Sequence, residues 1–405
     1  MRIRAGNSIL NAYLSLIFFN SLIFFVNEFF LVDLSWLFLI CVLAFNTFVI
    51  IRFKAANFRQ KIIFLAMLIF YLLLLFRGYL RGNYLNYFYV DTAYFSSFSL
   101  ILYANSYINI RHQVSSFISS FSRILYVTLP LAIFIFVSRG FAPPKDLDSR
   151  FLDNDSAGLY TAVNVVFFSL YFIVFLNMLR EVWTKLFLIT SVIFIFLYSI
   201  ITLSRGLLIA SSFSLMCALF VNKGTSLSVV FLMKYLGLLV LSLFLFYISF
   251  SVIYGHDNFD IVLSLLKYRF FDDPDFSGGR NEEERLLIAD FSTFETIFGR
   301  GLGAANNTWI WSELPNGMNI VHKWYLHLFL KGGYFYIVLF IGVSVFGLLN
   351  ALAQKNYFLI PFFVVFFLLS SGHTQFYNFV SMSLFWIFLG FGLASERRGD
   401  KTMLF

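Results

Sequence analysis

The side chains best suited to chemistry lie in or beside one polar stretch, residues 254–331, late in the chain. Arg280 follows two glycines there, and His322 precedes a Leu-rich segment. Arg205, in the sequence TLSRGLLIA, lies between two apolar runs with almost no loop between them. A guanidinium stays charged and matches phosphate oxygens, and a neutral imidazole can accept a proton from an attacking hydroxyl. We therefore predict that Arg205, Arg280 and His322 are catalytic.

Each of these three residues also has a purely structural interpretation. Arg205 can be a guanidinium that extends from a helix end to the membrane surface. The sequence NEEERLLIADF predicts a helix that starts near Arg280, so this residue stands at an anion-binding helix N-terminus or pairs with Glu283 or Glu284. His322 can be a hydrogen-bonded histidine at the membrane interface. These alternatives stay open at the level of sequence.

Metal and nucleotide chemistry are not expected. The glycines of GRGLGA, from Gly299 to Gly303, lack the preceding strand and the following GK[ST] of a phosphate loop. His327 lies five residues after His322, which points it to a different face of a helix. The acidic group Asp272, Asp273 and Asp275 is interpreted as a solvated loop, with a divalent-cation site as the alternative. We predict no metal site and no cofactor.

Composition defines the class of protein. The chain has 405 residues, of which 60% are hydrophobic and 12% are charged. Apolar runs of about 20 residues recur along its length, and each can cross a hydrocarbon core as a helix. Barrel strands alternate in short segments instead, and soluble domains are far more polar. The sequence predicts an all-α polytopic membrane protein.

Twelve transmembrane spans are predicted within a single integral membrane domain, 1–405. The expected spans are 8–26, 30–51, 61–77, 94–110, 117–137, 159–179, 186–203, 207–221, 228–253, 333–351, 356–370 and 375–394. With both termini in the cytoplasm, the short inside loops are rich in Lys and Arg, as the positive-inside rule requires. The stretch 254–331, between spans nine and ten, then forms one large loop on the outer face.

Several basic residues lie on this predicted outer face, although outer loops of membrane proteins usually contain few Lys and Arg. We predict that some of them bind an anionic substrate, and the candidates are Arg81, Arg139, Arg300 and Lys323. The alternative is that these residues pair with nearby acids on a solvated surface.

Taken in order, the motifs resemble those of the bacterial O-antigen polymerase and O-antigen ligase superfamily. They are Ser204-Arg205-Gly206 at the outer end of a mid-chain span, Gly279-Arg280, the glycines from Gly299 to Gly303, His322, and Gly332-Gly333. The resemblance covers the whole chain, with one large loop late in it. One departure is Lys323, since many members have Asn after the histidine.

The resemblance implies an inverting, metal-independent glycosyltransferase of the bacterial inner membrane, with its active site facing the periplasm. The donor is an oligosaccharide on undecaprenyl pyrophosphate, and Arg205 and Arg280 neutralise the leaving pyrophosphate while His322 handles the acceptor hydroxyl. A polymerase, which extends another lipid-linked repeat unit, is the first expectation. A ligase that transfers to lipid A–core is the alternative, and a transporter of the same lipid-linked sugar represents a different class. Membrane lipid and a chain-length regulator are the further partners considered, and no nucleic acid is expected.

Overall fold

A computed structural model gives the fold. It describes residues 12–13, 15–16, 35–51, 56–104, 109–138, 166–201, 205–221, 247, 264, 267–268, 280–308, 316–318, 321, 323–372 and 379–394. These residues form helices joined by turns, with one isolated antiparallel bridge between Asn306 and Met318. The chain divides into two compact units, one of residues 1–20, 33–117 and 277–405, and the other of residues 21–32 and 118–276.

The helices are numbered in chain order. The α-helices are α1 (Ser35–Ile51), α2 (Phe58–Leu80), α3 (Leu85–Phe95), α4 (Ile110–Ser122), α5 (Leu125–Ser138), α6 (Ser169–Phe172), α7 (Val182–Ile201), α8 (Arg205–Val221), α9 (Arg280–Ala289), α10 (Thr293–Phe298), α11 (Trp324–Ala353), α12 (Ile360–Gly372) and α13 (Phe379–Leu393). Three 3-10 helices, Ser96–Leu102, Ile173–Met178 and Tyr357–Leu359, lie between them.

Four helical segments are long and apolar enough to cross a membrane. They are Phe58–Leu80, Ile110–Phe134, Val182–Ser199 and Trp324–Ala353. Shorter apolar helices lie at Leu39–Ile50, Leu207–Met216, Tyr357–Ser370 and Phe379–Leu393. The described chain is thus helical and has several segments able to span a bilayer. Three features stay predictions: the total of twelve spans, the orientation of the termini and the single domain. The predicted first and ninth spans lie almost wholly outside the described residues.

The first unit is built on α2 and the second part of α11. At one end of α2, Arg59 donates a hydrogen bond to the Asn350 side chain near the end of α11. At the other end of α2, Gly78 lies against the loop that packs on the start of α11. The two helices therefore run antiparallel. The stretch of α2 between Lys61 and Arg77 is about 24 Å long at 1.5 Å per residue, close to the thickness of a hydrocarbon core.

Helix α11 is broken at Gly333, where the backbone has φ 64° and ψ −165°. Only glycine adopts such a conformation readily. The part before the break is buried from Leu326 to Gly332, whereas the part after it exposes a stripe of large apolar side chains. The sequence prediction started the tenth span near residue 333, so it identified the exposed part. It assigned the buried half-helix to the polar loop.

The fourth predicted span, 94–110, is not one α-helix in its described part. Helix α3 ends at Phe95, and the serine-rich stretch that follows continues as the buried 3-10 helix Ser96–Leu102. Asn46 of α1 donates to the Ser96 hydroxyl over 2.6 Å and accepts from Ser99 over 3.0 Å. Serine hydroxyls that bond to nearby polar groups compete with regular α-helical geometry. Gln60 donates to the Ile101 carbonyl at the end of this segment over 3.0 Å.

In the second unit, α7 and α8 match the predicted spans 186–203 and 207–221. Helix α5 packs on α7, where the Tyr126 and Thr184 hydroxyls are 2.7 Å apart and Arg123 pairs with Glu181. Helix α8 begins at Arg205, only four residues after the end of α7 at Ile201. The short connection predicted around Arg205 is therefore confirmed.

The close approach of α2 to the glycine-rich loop gives a stability prediction. A Cβ at Gly78 would overlap the backbone carbonyl of Leu302. We expect Gly78→Ala to lower the free energy of unfolding by about 1–3 kcal/mol or more, because a backbone contact must separate to admit the methyl group. Thermal unfolding of detergent-solubilised protein, followed by tryptophan fluorescence, measures the effect.

Gly342→Ala is the matched control, because a Cβ at that helical position has no described atom within 4 Å. This variant should unfold at the wild-type temperature or slightly above it. Equal melting temperatures for the two variants would contradict the close packing at Gly78.

Candidate active site on a clasped loop

The structure describes two of the three predicted catalytic residues, and these two lie in different units. Arg280 is the first residue of α9, so the predicted helix start is confirmed. Arg205 is the first residue of α8, in the other unit. His322 lies outside the described residues, and so does the proposed substrate-binding residue Arg139.

The first turn of α9 is tied to the residue that follows His322. Lys323 Nζ donates to Asn281 Oδ1 over 2.8 Å and to Glu284 Oε2 over 2.6 Å, and the Tyr325 hydroxyl donates to the same carboxylate over 2.6 Å. Burial raises the pKa of the Glu284 carboxyl, but the bonds from Lys323 and Tyr325 outweigh this and leave its pKa below the usual range. The sequence neighbours of Arg280 and His322 are thus in direct contact.

The buried face of α9 packs in an apolar cluster. Leu287 is fully buried there with Val321, Leu326, Phe329 and Leu330. The first part of α11 supplies three of these side chains, so the cluster joins α9 to the buried half-helix. Apolar burial of this kind contributes about 25 cal/mol per Å² removed from water.

A polar contact lies beside that cluster. Asn306 Nδ2 donates to the buried Glu283 carboxylate over 3.3 Å, and the Asn306 backbone forms the bridge to Met318 over 2.7 and 2.9 Å. Glu283 thus contacts Asn306, while Glu284 contacts Lys323 and Tyr325.

The glycine-rich stretch 299–304 is a clasp between α2, α3 and α11. Its backbone N–H groups donate in succession to the protein: Arg300 to the Leu330 carbonyl over 2.9 Å, Gly301 to Lys331 over 2.8 Å, and Leu302 to Leu74 over 3.1 Å. The carbonyls of Leu330 and Lys331 lie just before the break in α11, so the clasp satisfies groups that the break removes from the helix.

The glycines of the clasp are required by its geometry. Gly299, Gly301 and Gly303 have φ values of 69°, 83° and 78°. A Cβ at Gly301 would overlap the backbone of Gly78, and one at Gly303 would lie 2.8 Å from the Phe88 Cα. Since these N–H groups bond to protein carbonyls and a carboxylate, the stretch does not cradle a phosphate, which agrees with the rejection of a nucleotide loop.

A buried ion pair closes the clasp. Lys331 Nζ lies 2.6 Å from Asp91 Oδ2, and the two side chains are 0% and 1% exposed. Asp91 Oδ2 also accepts from the Gly303 N–H over 2.6 Å, and Lys331 donates to the Ala304 carbonyl over 2.6 Å. The sequence analysis placed Lys331 at the end of the polar stretch, among the basic residues of the predicted outer face. A lysine in a Leu-rich run and an aspartate in YFYVD are the signals that could have revealed the pair.

A second set of charges holds α10 to the end of α2. Arg81 pairs with Glu295, and Arg300 Nη1 lies 2.9 Å from Asp290 Oδ2 with its Nε 3.4 Å from Glu295 Oε1. Burial raises the pKa of the Glu295 carboxyl, but hydrogen bonds from Ser292 and Arg81, with the charge of Arg300, lower it to about 2. Three of the four proposed substrate-binding residues, Arg81, Arg300 and Lys323, are therefore paired with acids, and their role in substrate binding stays a prediction.

Within the described ranges, no group of three or more His, Cys, Asp or Glu side chains is arranged to hold a metal ion. The described residues form a helical chain with segments long and apolar enough to cross a membrane, and its late polar stretch is clasped onto a broken helix. A comparison of the sequence and structure with protein-family models, curated proteins and solved structures gives no match.

The buried pair can be tested by a double-mutant cycle. Asp91→Asn or Lys331→Met alone leaves one buried charge without its partner, which should cost about 3–5 kcal/mol of unfolding free energy. The double variant removes both charges, so its loss should be clearly smaller than the sum of the two single losses. Unfolding temperatures of the four proteins in detergent measure this coupling, and strictly additive losses would contradict a coupled pair.

The ion pairs of Glu295 with Arg81 and Arg300 predict that the stability of the protein depends on pH. The folded pKa of about 2 lies below the unfolded value of roughly 4.3, so ionised Glu295 contributes stability that is complete above about pH 5 and is lost as the pH falls toward 2. The melting temperature of wild type should exceed that of Glu295→Gln at neutral pH, and the difference should shrink between pH 5 and pH 3. A difference that stays constant over this range would rule out Glu295 as the titrating group.

Proposed function

We propose that this protein is a surface-polysaccharide polymerase of the O-antigen type. It joins repeat units carried on undecaprenyl pyrophosphate at the outer face of the bacterial inner membrane. The acceptor hydroxyl attacks the anomeric carbon of the donor sugar, and the bond from that carbon to the pyrophosphate oxygen breaks. Attack from the opposite side inverts the anomeric configuration. The hydroxyl proton passes to His322, and the pyrophosphate leaves on its lipid.

One observation carries the proposal. The 2.8 Å hydrogen bond between Lys323 and Asn281 joins the residue after His322 to the residue after Arg280. A proposed base and a proposed anion-binding guanidinium are therefore each one residue away from a direct contact. Arg280 begins a helix of ten residues, and the N-terminus of a helix favours the negative charge that develops on a leaving pyrophosphate.

Arg205 is proposed as a second guanidinium for the pyrophosphate on the basis of its chemistry and its place at a helix start. A charged side chain at the end of an apolar membrane helix is costly unless it meets water or a partner. Lys323, Arg81 and Arg300 are assigned a supporting role, because each holds an acid of the stretch 280–295 in place. Arg139 is retained as a substrate-binding candidate.

The activity is tested with purified protein in nanodiscs, undecaprenyl-pyrophosphate-linked repeat units, and neither nucleotide nor lipid A–core. A ladder of longer glycans on the lipid carrier is the expected product, and EDTA should leave it unchanged. Transfer that requires added lipid A–core would instead identify a ligase. Movement of intact substrate across the bilayer without bond formation would identify a transporter.

The residue assignments are tested in the same assay. Arg280→Ala should lower the rate of chain extension by about 10²–10³-fold, the usual cost of removing one group that stabilises transition-state charge. Arg205→Ala and His322→Ala should also abolish long chains while the protein level stays normal.

Arg285→Ala is the matched control, because Arg285 lies on the same helix, is 69% exposed and pairs only with Glu282 among the contacts described for it. Exposed pairs of this kind contribute little, so its rate should stay near wild type. A normal glycan ladder from any of the three alanine variants would remove that residue from the mechanism.

A further inference from the structure

Helix α10 carries large apolar side chains on its outer surface. Phe294 is 61% exposed and Ile297 is 45% exposed, and Phe298 beside them is exposed as well. The buried side of this short helix holds Glu295, which bonds to Arg81 and caps the helix start through Ser292. Three neighbouring apolar side chains on one face of a polar stretch form a surface that water solvates poorly.

This surface continues onto a membrane-crossing helix. The Phe298 ring lies 6.2 Å from the ring of Phe335, the second residue after the break in α11. Phe335 begins an exposed apolar stripe that runs along the helix through Val338, Ile341 and Val345 to Leu349. On a helix that spans a bilayer, such a stripe faces lipid.

The level of α10 relative to the bilayer follows from the length of α11. Its second part, from Tyr334 to Ala353, is about 30 Å long at 1.5 Å per residue, which equals the thickness of a hydrocarbon core. The polar residues Gln354 and Lys355 mark one boundary, so the break at Gly333 marks the other. A Cβ at Gly333 would overlap the backbone of Ile297, so α10 lies directly at that second boundary.

A cation accompanies the apolar surface. The Arg77 guanidinium lies over the Phe294 ring, with 4.5 Å from Cζ to the ring centroid. Arg81 follows four residues later, directly after the end of α2, and bonds to Glu295 of α10, so two positive charges lie beside the three apolar side chains. Helices that lie in the zone where acyl chains meet phosphate headgroups combine Phe, Trp or Leu on one face with Arg or Lys beside it.

We propose that α10 lies in the membrane interface and binds the phospholipid bilayer. Phe294, Ile297 and Phe298 enter the outer ends of the acyl chains, and Arg77 lies at the level of the lipid phosphates. The stretch 280–308 is thereby held against the membrane surface. The proposal rests on the membrane-crossing helices and is independent of any glycosyltransferase activity.

The test measures the depth of single spin labels in nanodiscs of phosphatidylcholine and phosphatidylglycerol. The background carries Cys41→Ser and Cys217→Ser, and one label is introduced by Ile297→Cys or, independently, Phe294→Cys. Val338→Cys, on the lipid stripe and 69% exposed, serves as the membrane reference, and Arg285→Cys, also 69% exposed on α9, serves as the aqueous reference. Accessibility to oxygen reports acyl surroundings, and accessibility to a water-soluble nickel chelate reports water.

The labels at 297 and 294 should be several-fold more accessible to oxygen than to the nickel chelate, as at Val338, and opposite in preference to Arg285. A preference for the nickel chelate at both positions would overturn the proposal, because α10 would then face water. Low accessibility to both reagents would overturn it as well, because a second copy of the chain would then cover the surface. Melting temperatures near that of the background confirm that the labelled proteins are folded.

Discussion

The first unit depends on one interaction, the buried pair between the Lys331 ammonium and the Asp91 carboxylate. Removing two charges from water costs several kcal/mol per ion unless each also finds hydrogen bonds. Here the carboxylate accepts from the Gly303 N–H and the ammonium donates to the Ala304 carbonyl. The pair therefore fixes three segments at once: α3, the clasp and the buried half of α11. The glycines of the clasp let these backbones approach closely enough for the bonds to form.

The proposed catalytic residues do not contact this ion pair, but the segments that carry them pack on the helix that it holds. The buried half of α11 packs under α9 through Leu287 and Phe329, and its first residues connect to Lys323. Arg280 and the segment around His322 are thus both attached to a rigid support, as catalytic geometry requires. The surrounding arginines Arg81 and Arg300 stabilise the stretch through acids. Many basic residues in one region of a sequence therefore do not by themselves indicate a binding site for an anionic substrate, because such residues can pair with acids of the same protein.

Features set by local sequence were predictable. The helix start at Arg280 follows from acids in a first turn after two glycines, and α2, α7 and α8 follow from apolar runs with polar ends. Features set by distant partners were not. The break at Gly333 needs N–H groups of the clasp to donate to the carbonyls of Leu330 and Lys331, and the 3-10 helix after Phe95 needs Asn46 of another helix. Asp91 and Lys331 are far apart in sequence, and each taken singly looks like an ordinary charge at the end of an apolar run.

The order in which the two ions are synthesised has a consequence for biogenesis. Asp91 leaves the ribosome long before Lys331, so the early helices reach the bilayer with an acid whose counter-ion does not yet exist. The first unit can close around that carboxylate only after most of the polypeptide has been made. A chain that stops short of residue 331 keeps an unmatched acid among its helices, because the ammonium that pairs with Asp91 is missing.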